Sequence, residues 1–202
     1  MIHRGFFITV EGGDGSGKST QATRLARWLR RQGYAVTLTR EPGGTPVGER
    51  LRRMVLEHPA LDPWTELLVF QAARAQHVAE VIRPHLRRGV IVICDRYADS
   101  TMAYQGYGLG LDRRLIARVT RAVTAGAVPD LTLILDGSAS AGLRRTRRRQ
   151  RMERRGLAFQ QRVCRGFRAI ARQHPRRCRL IPVQPAPAAT QALMRRAVRD
   201  AL

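Results

Sequence analysis

The segment Gly12-Gly13-Asp14-Gly15-Ser16-Gly17-Lys18-Ser19 fits the pattern G-x-x-x-x-G-K-[ST], in which backbone N–H groups wrap around the phosphates of a nucleotide. Glycine permits the positive φ angles and close backbone approach that such a cradle needs. The ammonium of Lys18 would reach the β- and γ-phosphates, and the Ser19 hydroxyl would bind Mg²⁺. Lys18 is the one lysine among thirty-seven basic residues. Where arginine fills every other basic position, the place that keeps lysine needs a slim, flexible ammonium instead of a planar fork.

Such a loop works only between a strand and a helix. Residues 6–10, Phe-Phe-Ile-Thr-Val, read as a short buried strand that runs directly into it. After it Ala22, Leu25, Ala26 and Leu29 recur at helical spacing with arginines on the other face. The helix N-terminus adds its partial positive charge to the cradle. Further strands are expected at 35–39, 90–94, 131–135 and 179–183, and helices at 47–56, 63–86, 113–125, 141–149, 158–172 and 188–201. This alternation implies a parallel sheet covered on both faces.

Three polar loops follow strands in this scheme. They are Thr39-Arg40-Glu41-Pro42-Gly43-Gly44-Thr45, Asp95-Arg96-Tyr97, and the Pro129-to-Asp136 segment ending in Leu135-Asp136. In a parallel sheet the carboxyl ends of the strands open on one edge, so these loops should converge on the glycine loop. Asp95, at the end of a strand facing that loop, suits a Mg²⁺ shell, directly or through water. Arginine forks such as those of Arg40 and Arg96 suit phosphate. Either arginine could instead pair with Glu41 or Asp99, and Phe70 could be a core side chain.

The net charge of +22 raises nucleic acid as a partner. Arginines are spread along nearly every expected helix, however, with the densest group at Arg144, Arg145, Arg147, Arg148, Arg149, Arg151, Arg154 and Arg155. A chain-wide bias toward arginine and solvated helix faces account for most of them, and polyanion binding is not expected as the main role. The chain's 202 residues, 44% hydrophobic, suffice for one buried domain, and no linker divides it. No apolar run reaches the length of a membrane span and no cleavable leader is visible, so a cytoplasmic enzyme is expected. Cys94, Cys164 and Cys178 lack metal-ligand spacing and read as reduced thiols, with Cys94 in the core.

The chain resembles the thymidylate kinase family through four motifs in family order. These are the ten residues from Glu11 to Thr20, the loop from Thr39 to Thr45, Phe70-Gln71-Ala72-Ala73-Arg74, and the twelve residues from Asp95 to Gly106. The resemblance implies a P-loop NTPase fold of the nucleoside monophosphate kinase kind: a five-stranded parallel sheet flanked by helices, with a short helical lid at about 144–158. It implies ATP and dTMP as substrates, Mg²⁺ as cofactor and a homodimer. Gly12, Gly13, Asp14, Gly15, Ser16, Gly17, Lys18, Ser19 and Thr20 would bind ATP. Asp14, Arg40, Phe70, Arg74, Arg96, Ser100, Thr101, Tyr104 and Gln105 would bind dTMP. Of these, Arg40 and Arg96 would hold the acceptor phosphate, Phe70 stack on thymine, Arg74 reach a base carbonyl and Tyr104 crowd the sugar 2′ position.

The lid departs from the family pattern. An Asp-Arg-x-Glu element reads here as Gln150-Arg151-Met152-Glu153, followed by Phe159, Arg162 and Phe167, the last in place of tyrosine. Gly15 stands where one class of the family carries a catalytic arginine, and the other class draws that arginine from the lid. Arg148, Arg149 and Arg151 are the candidates, with Arg149 and Arg151 preferred beside Lys18, Asp14 and Arg96 as catalytic residues. A single methyl is worth only about 1–3 kcal/mol in discrimination, so firm rejection of purines and some use of dUMP are expected.

Overall fold

Three apolar segments are buried on both faces and form the centre of the sheet, while two less apolar segments, partly exposed, pair along its edges. The computed structural model describes residues 5–58, 60–145 and 155–202. Its strands are β1 (Phe7–Gly12), β2 (Val36–Arg40), β3 (Ile91–Asp95), β4 (Leu131–Asp136) and β5 (Cys178–Pro182). They form one parallel sheet in the order β2-β3-β1-β4-β5. The helices are α1 (Lys18–Arg31), α2 (Pro46–Glu57), α3 (Pro63–His77), α4 (Arg83–Arg87), α5 (Ala98–Thr101), α6 (Arg113–Thr124), α7 (Ala139–Arg145), α8 (Gly156–Gln173) and α9 (Pro187–Arg199).

One face of the sheet packs Ile8, Val10, Ile93 and Leu133 against Leu25 and Leu29 of α1 and Met194 and Val198 of α9. On the other face Phe7, Val92 and Cys94 meet Val78, Ile82 and Tyr97, with the Phe7 and Tyr97 rings edge to face at 5.0 Å. A third cluster joins Tyr104 and Ile134 to Phe159, Val163 and Phe167 of α8. The registers set Val10 and Arg40 both opposite Asp95, and Gly12 opposite Leu135. The chain therefore leaves all the strands at the same edge, where Gly12, Arg40, Asp95 and Asp136 stand.

The expected strands are present with ends moved by one or two residues. The helix expected over 63–86 is one α-helix only to His77. A π turn, Val78–Ile82, follows, and Arg83 N–H bonds back to Val78 O before α4 completes the run. Pro84 has no N–H to give, and widening the preceding turn accommodates it. The segment after Tyr97, outside the helices expected from the sequence, is helical: α5 passes into a second π turn, Met102–Gly108. Its Gly106 and Gly108 mask the signal, yet a side chain at Gly108 would run into Phe159. Beyond Arg145, the helix expected over 141–149 lies outside the described residues. Among the described residues no helix is long and apolar enough to cross a membrane.

Glu11, in β1, is fully buried and anchors the segment after β3. Its carboxylate accepts Tyr97 N–H at 2.8 Å, Ser100 N–H at 3.3 Å and the Ser100 hydroxyl at 2.5 Å. Nearby, Asp99 takes a bidentate grip from Arg177 at 2.6 and 2.8 Å. Burial, and secondarily the Asp99 charge, raise the Glu11 pKa to about 8 against the donors that favour its ionised form. Between the ordinary 4.5 and about 8 the folded chain thus keeps a proton that the unfolded chain has lost. Stability should fall as pH rises through this window, by at most about 1.4 kcal/mol per pH unit from this group. Urea unfolding across that range should show the decline flattened in Glu11→Gln, and curves that stay parallel would contradict it.

Candidate active site

The loop between β1 and α1 curls because Gly12, Gly15 and Gly17 take φ of 141°, 68° and 92°. Its floor is closed by α7, whose Gly142 backbone lies against Gly15 so closely that neither glycine has room for a Cβ. Position 15 therefore excludes an arginine by both conformation and space. Lys18 is 6% exposed and donates to Gly13 O at 2.6 Å, folding its ammonium back over the loop. Burial, then the Arg96 charge, lower its pKa to about 8. The Ser19 hydroxyl donates to Asp95 Oδ2 across the mouth of the sheet. Asp95 Oδ1 is buried with no hydrogen-bond partner among the described residues. An orphaned carboxylate oxygen beside a hydroxyl is a donor set that fits a hard cation such as Mg²⁺.

Arg96 sits at φ 70°, a left-handed conformation that costs a residue with a side chain about 1–3 kcal/mol. The surroundings hold it there. Its N–H bonds Val10 O at 3.0 Å, and its guanidinium donates to Gly12 O, Ser100 Oγ and Tyr104 Oη at 3.2 Å and to Asp14 Oδ1 at 2.5 Å. The cation also lies 5.0 Å from the centroid of the Tyr104 ring. Asp14 receives the Tyr104 hydroxyl at 2.6 Å and the Gln160 amide at 2.6 Å. Burial pushes the Asp14 pKa up, but the Arg96 and Lys18 charges outweigh it and hold the carboxyl below its usual range.

Two concavities meet at this cluster. The first runs along Lys18, Ser19, Thr20, Arg40 and Asp95. The second is walled by Phe70, Arg74, Ser100, Thr101, Tyr104 and Gln105. Asp14, Glu41, Arg52 and Arg96 border both. Phe70 is half-buried with its side on the second pocket, so it is not a core residue. Arg74 is 2% exposed and its guanidinium is fully oriented. It donates to Glu41 Oε2 at 2.8 Å, Gln71 Oε1 at 3.0 Å and Thr101 Oγ1 at 2.9 Å.

The alternative ion pairs do not form. Arg40 pairs with Glu49 at 3.0 Å, Arg96 with Asp14, Glu41 with Arg74, and Asp99 with Arg177. Of the lid motif, Phe159 is buried with its ring 6.0 Å from that of Tyr104, and Arg162 donates to Gly108 O at 3.0 Å. Arg147, Arg148, Arg149, Gln150, Arg151, Met152 and Glu153 lie outside the described residues. Three contributors were not singled out from the sequence. Arg52 of α2 borders both pockets and donates to Pro42 O at 2.8 Å, Gln160 of α8 grips Asp14, and Glu66 of α3 bonds Gln105. Leu56, one helical turn beyond Arg52, also lines the second pocket, and that spacing is the sequence trace of Arg52.

A family model described as thymidylate kinase matches residues 10–192. A thymidylate kinase of Roseiflexus castenholzii is 50% identical over 193 residues, which cover 87% of this chain and 84% of that protein. One of Synechococcus sp. (strain JA-2-3B'a(2-13)) is 47% identical over 186 residues, covering 92% and 90%. The crystal structure of thymidylate kinase from Ehrlichia chaffeensis superposes with a TM-score of 0.82 at 37% identity and covers 98% of both chains. Together with the glycine loop and the two pockets it shares a rim with, these matches place the chain in the thymidylate kinase family.

Proposed function

We propose that this chain transfers the γ-phosphoryl group of ATP to dTMP, giving ADP and dTDP, within dTTP supply. The observation that carries this reading is the pair of concavities joined at Asp14 and Arg96, one built on the phosphate loop and one on aromatic and amide side chains. A phosphate oxygen of dTMP attacks the γ-phosphorus while the bond to the β-phosphate oxygen breaks and ADP leaves with that electron pair. The acceptor phosphate, with a second pKa near 6, is mostly dianionic at neutral pH, so no strong base is needed. Positioning and charge neutralisation carry the rate.

In this reading Gly12 to Thr20 cradle the ATP phosphates, with Lys18 on the β- and γ-oxygens. Arg96, helped by Arg40 and Arg52, holds the acceptor phosphate against the repulsion of ATP. Asp14 keeps Arg96 aimed and lies beside the acceptor sugar. Ser19 and Asp95 are the residues that would hold Mg²⁺, which supplies charge neutralisation on the phosphates when bound. Phe70 stacks on thymine, Arg74 and Thr101 meet its polar edge, Ser100 supports Arg96, and Tyr104 crowds the 2′ position. Arg149 or Arg151 would complete the charge around the transferred group from a lid at about 144–158 of a single domain. We place the enzyme in the cytoplasm as a homodimer through the α3 face, where Leu68 and Ala72 are exposed, while Leu67 and Val78 pack within the chain.

A different acceptor such as dCMP and an arginine-rich nucleic-acid binder are the other readings. ADP formation with a panel of acceptors separates them. dTMP should stimulate strongly and dUMP more weakly, with little from dCMP or AMP. No stimulation by dTMP would overturn the proposal, and nucleic-acid retention that falls steeply with salt would favour the binder.

Lys18→Ala should lower dTMP-dependent turnover by about 100-fold or more, with unaltered thermal unfolding, and full activity would refute the assignment of Lys18. The lowered pKa of Lys18 gives a further test. Its ammonium is partly neutral above pH 8 in the free site, and the arriving phosphates should restore its proton. Calorimetry of ATP binding in buffers of different ionisation enthalpy should therefore detect about half a proton taken up near pH 8, approaching one about a pH unit higher, and little below about pH 7. Equal uptake in Lys18→Ala would contradict this source.

A further inference from the structure

Glu66 is a fully buried carboxylate at the start of α3, deep behind the pocket lined by Phe70 and Gln105. Its Oε1 accepts the Gln105 amide N–H at 2.7 Å. Arg155, at the entry to α8, clasps the same carboxylate through two nitrogens, at 3.2 Å to Oε1 and 2.7 Å to Oε2. The Arg155 guanidinium also lies 5.1 Å from the centroid of the Phe159 ring, which in turn meets the Tyr104 ring at 6.0 Å. An arginine from the rim of the fold thus reaches the back of the base pocket by one buried acid.

The consequence is chemical. An ionised carboxylate only accepts hydrogen bonds, so the end of the Gln105 amide facing Glu66 must be its NH₂. The amide oxygen is then the end left for the pocket. Thymine and uracil present an N–H at the pyrimidine ring nitrogen between their carbonyls, which an amide oxygen accepts. Cytosine presents a lone pair there, which an amide oxygen repels. A buried carboxylate stays ionised only with charge partners, and Arg155 supplies one.

We infer that Arg155 is a positioning residue for acceptor-base selection: its ion pair with Glu66 fixes the Gln105 amide with its oxygen toward the base, favouring bases with a ring N–H over cytosine. This rests on the reading of the Phe70 and Gln105 pocket as the acceptor site. Without Arg155 the carboxylate takes up a proton more readily, and a carboxylic acid can donate to the amide oxygen as well as accept from the nitrogen. The amide is then free to turn, and the preference weakens.

The test is calorimetric binding of dTMP and dCMP to wild type, Arg155→Met, Arg155→Lys, Glu66→Gln and Gln105→Ala, with ATP binding as control. Arg155→Met and Glu66→Gln should each shrink the ratio of dCMP to dTMP dissociation constants by about tenfold, with ATP affinity within about twofold. Arg155→Lys, which keeps the charge, should restore most of the ratio. In the Gln105→Ala background Arg155→Met should change the ratio by less than about threefold, because both act through one amide. A ratio unchanged in both Arg155→Met and Glu66→Gln overturns the inference, as does a full tenfold effect of Arg155→Met without Gln105. Failure of wild type to bind dTMP would remove the acceptor reading itself, a result distinct from an unchanged ratio. Glu66→Gln is isosteric and keeps the test open if Arg155→Met does not fold.

Discussion

The contact between Arg96 and Asp14 joins two loops that would otherwise be independent. One belongs to the glycine loop after β1, the other to the turn after β3, and their strands lie side by side in the sheet. A reaction between two polyanions requires fixed positive charge where the anions meet, and a flexible arginine in water would spend most of its time elsewhere. Here the backbone of Arg96 is set at φ 70° and its guanidinium is engaged at every side by Gly12, Asp14, Ser100 and Tyr104. Electrostatic preorganisation of this kind removes the need to reorient dipoles during reaction. Glu11 and Asp99 serve the same end one layer deeper. The first holds the Tyr97 and Ser100 amides, and the second ties their helix to Arg177 before β5.

The helices that carry no glycine loop matter through what they insert into this frame. α3 contributes Phe70 and Arg74 to one wall and Glu66 to the back. α2 brings Arg52 to the rim shared by both concavities. α8 fastens the site from above, with Gln160 on Asp14 and Phe159 against Tyr104. The chain's arginines thus fall into a few that face the pockets and many that face solvent. Arg52, Arg74, Arg96 and Arg155 have specific acceptors at the site. Many others, such as Arg24 and Arg27 of α1, lie on half-exposed or exposed helix surface.

What could be read from the sequence was whatever is encoded locally. The strand, glycine loop and helix around Lys18 are contiguous, and buried parallel strands announce themselves as apolar runs. Asp95, Arg96 and the Thr39 to Thr45 loop follow from the rule that strand ends share an edge. Partnerships across the fold were not legible. Arg40 was open to pairing with Glu41, yet Glu41 turns inward to Arg74 and His77 while Arg40 takes Glu49 one turn into α2. Gln160 is the one polar side chain on the buried side of α8 and leaves no periodic trace, whereas Glu66 is one of four buried polar residues of α3, with Gln71, Arg74 and His77, which blur that helix's apolar face. The helix after Tyr97 was missed because its glycines, which admit α8 side chains, look like loop residues. The lid arginines stay a proposal from resemblance.

The central claim is that Arg96, held by Asp14, reads the acceptor phosphate. Comparing dTMP with thymidine in binding to wild type and Arg96→Met tests it directly, because the two ligands differ only in that phosphate. The account predicts that wild type favours dTMP and that Arg96→Met loses at least about tenfold of this preference while its affinity for thymidine changes little. A preference that survives intact in Arg96→Met would contradict it.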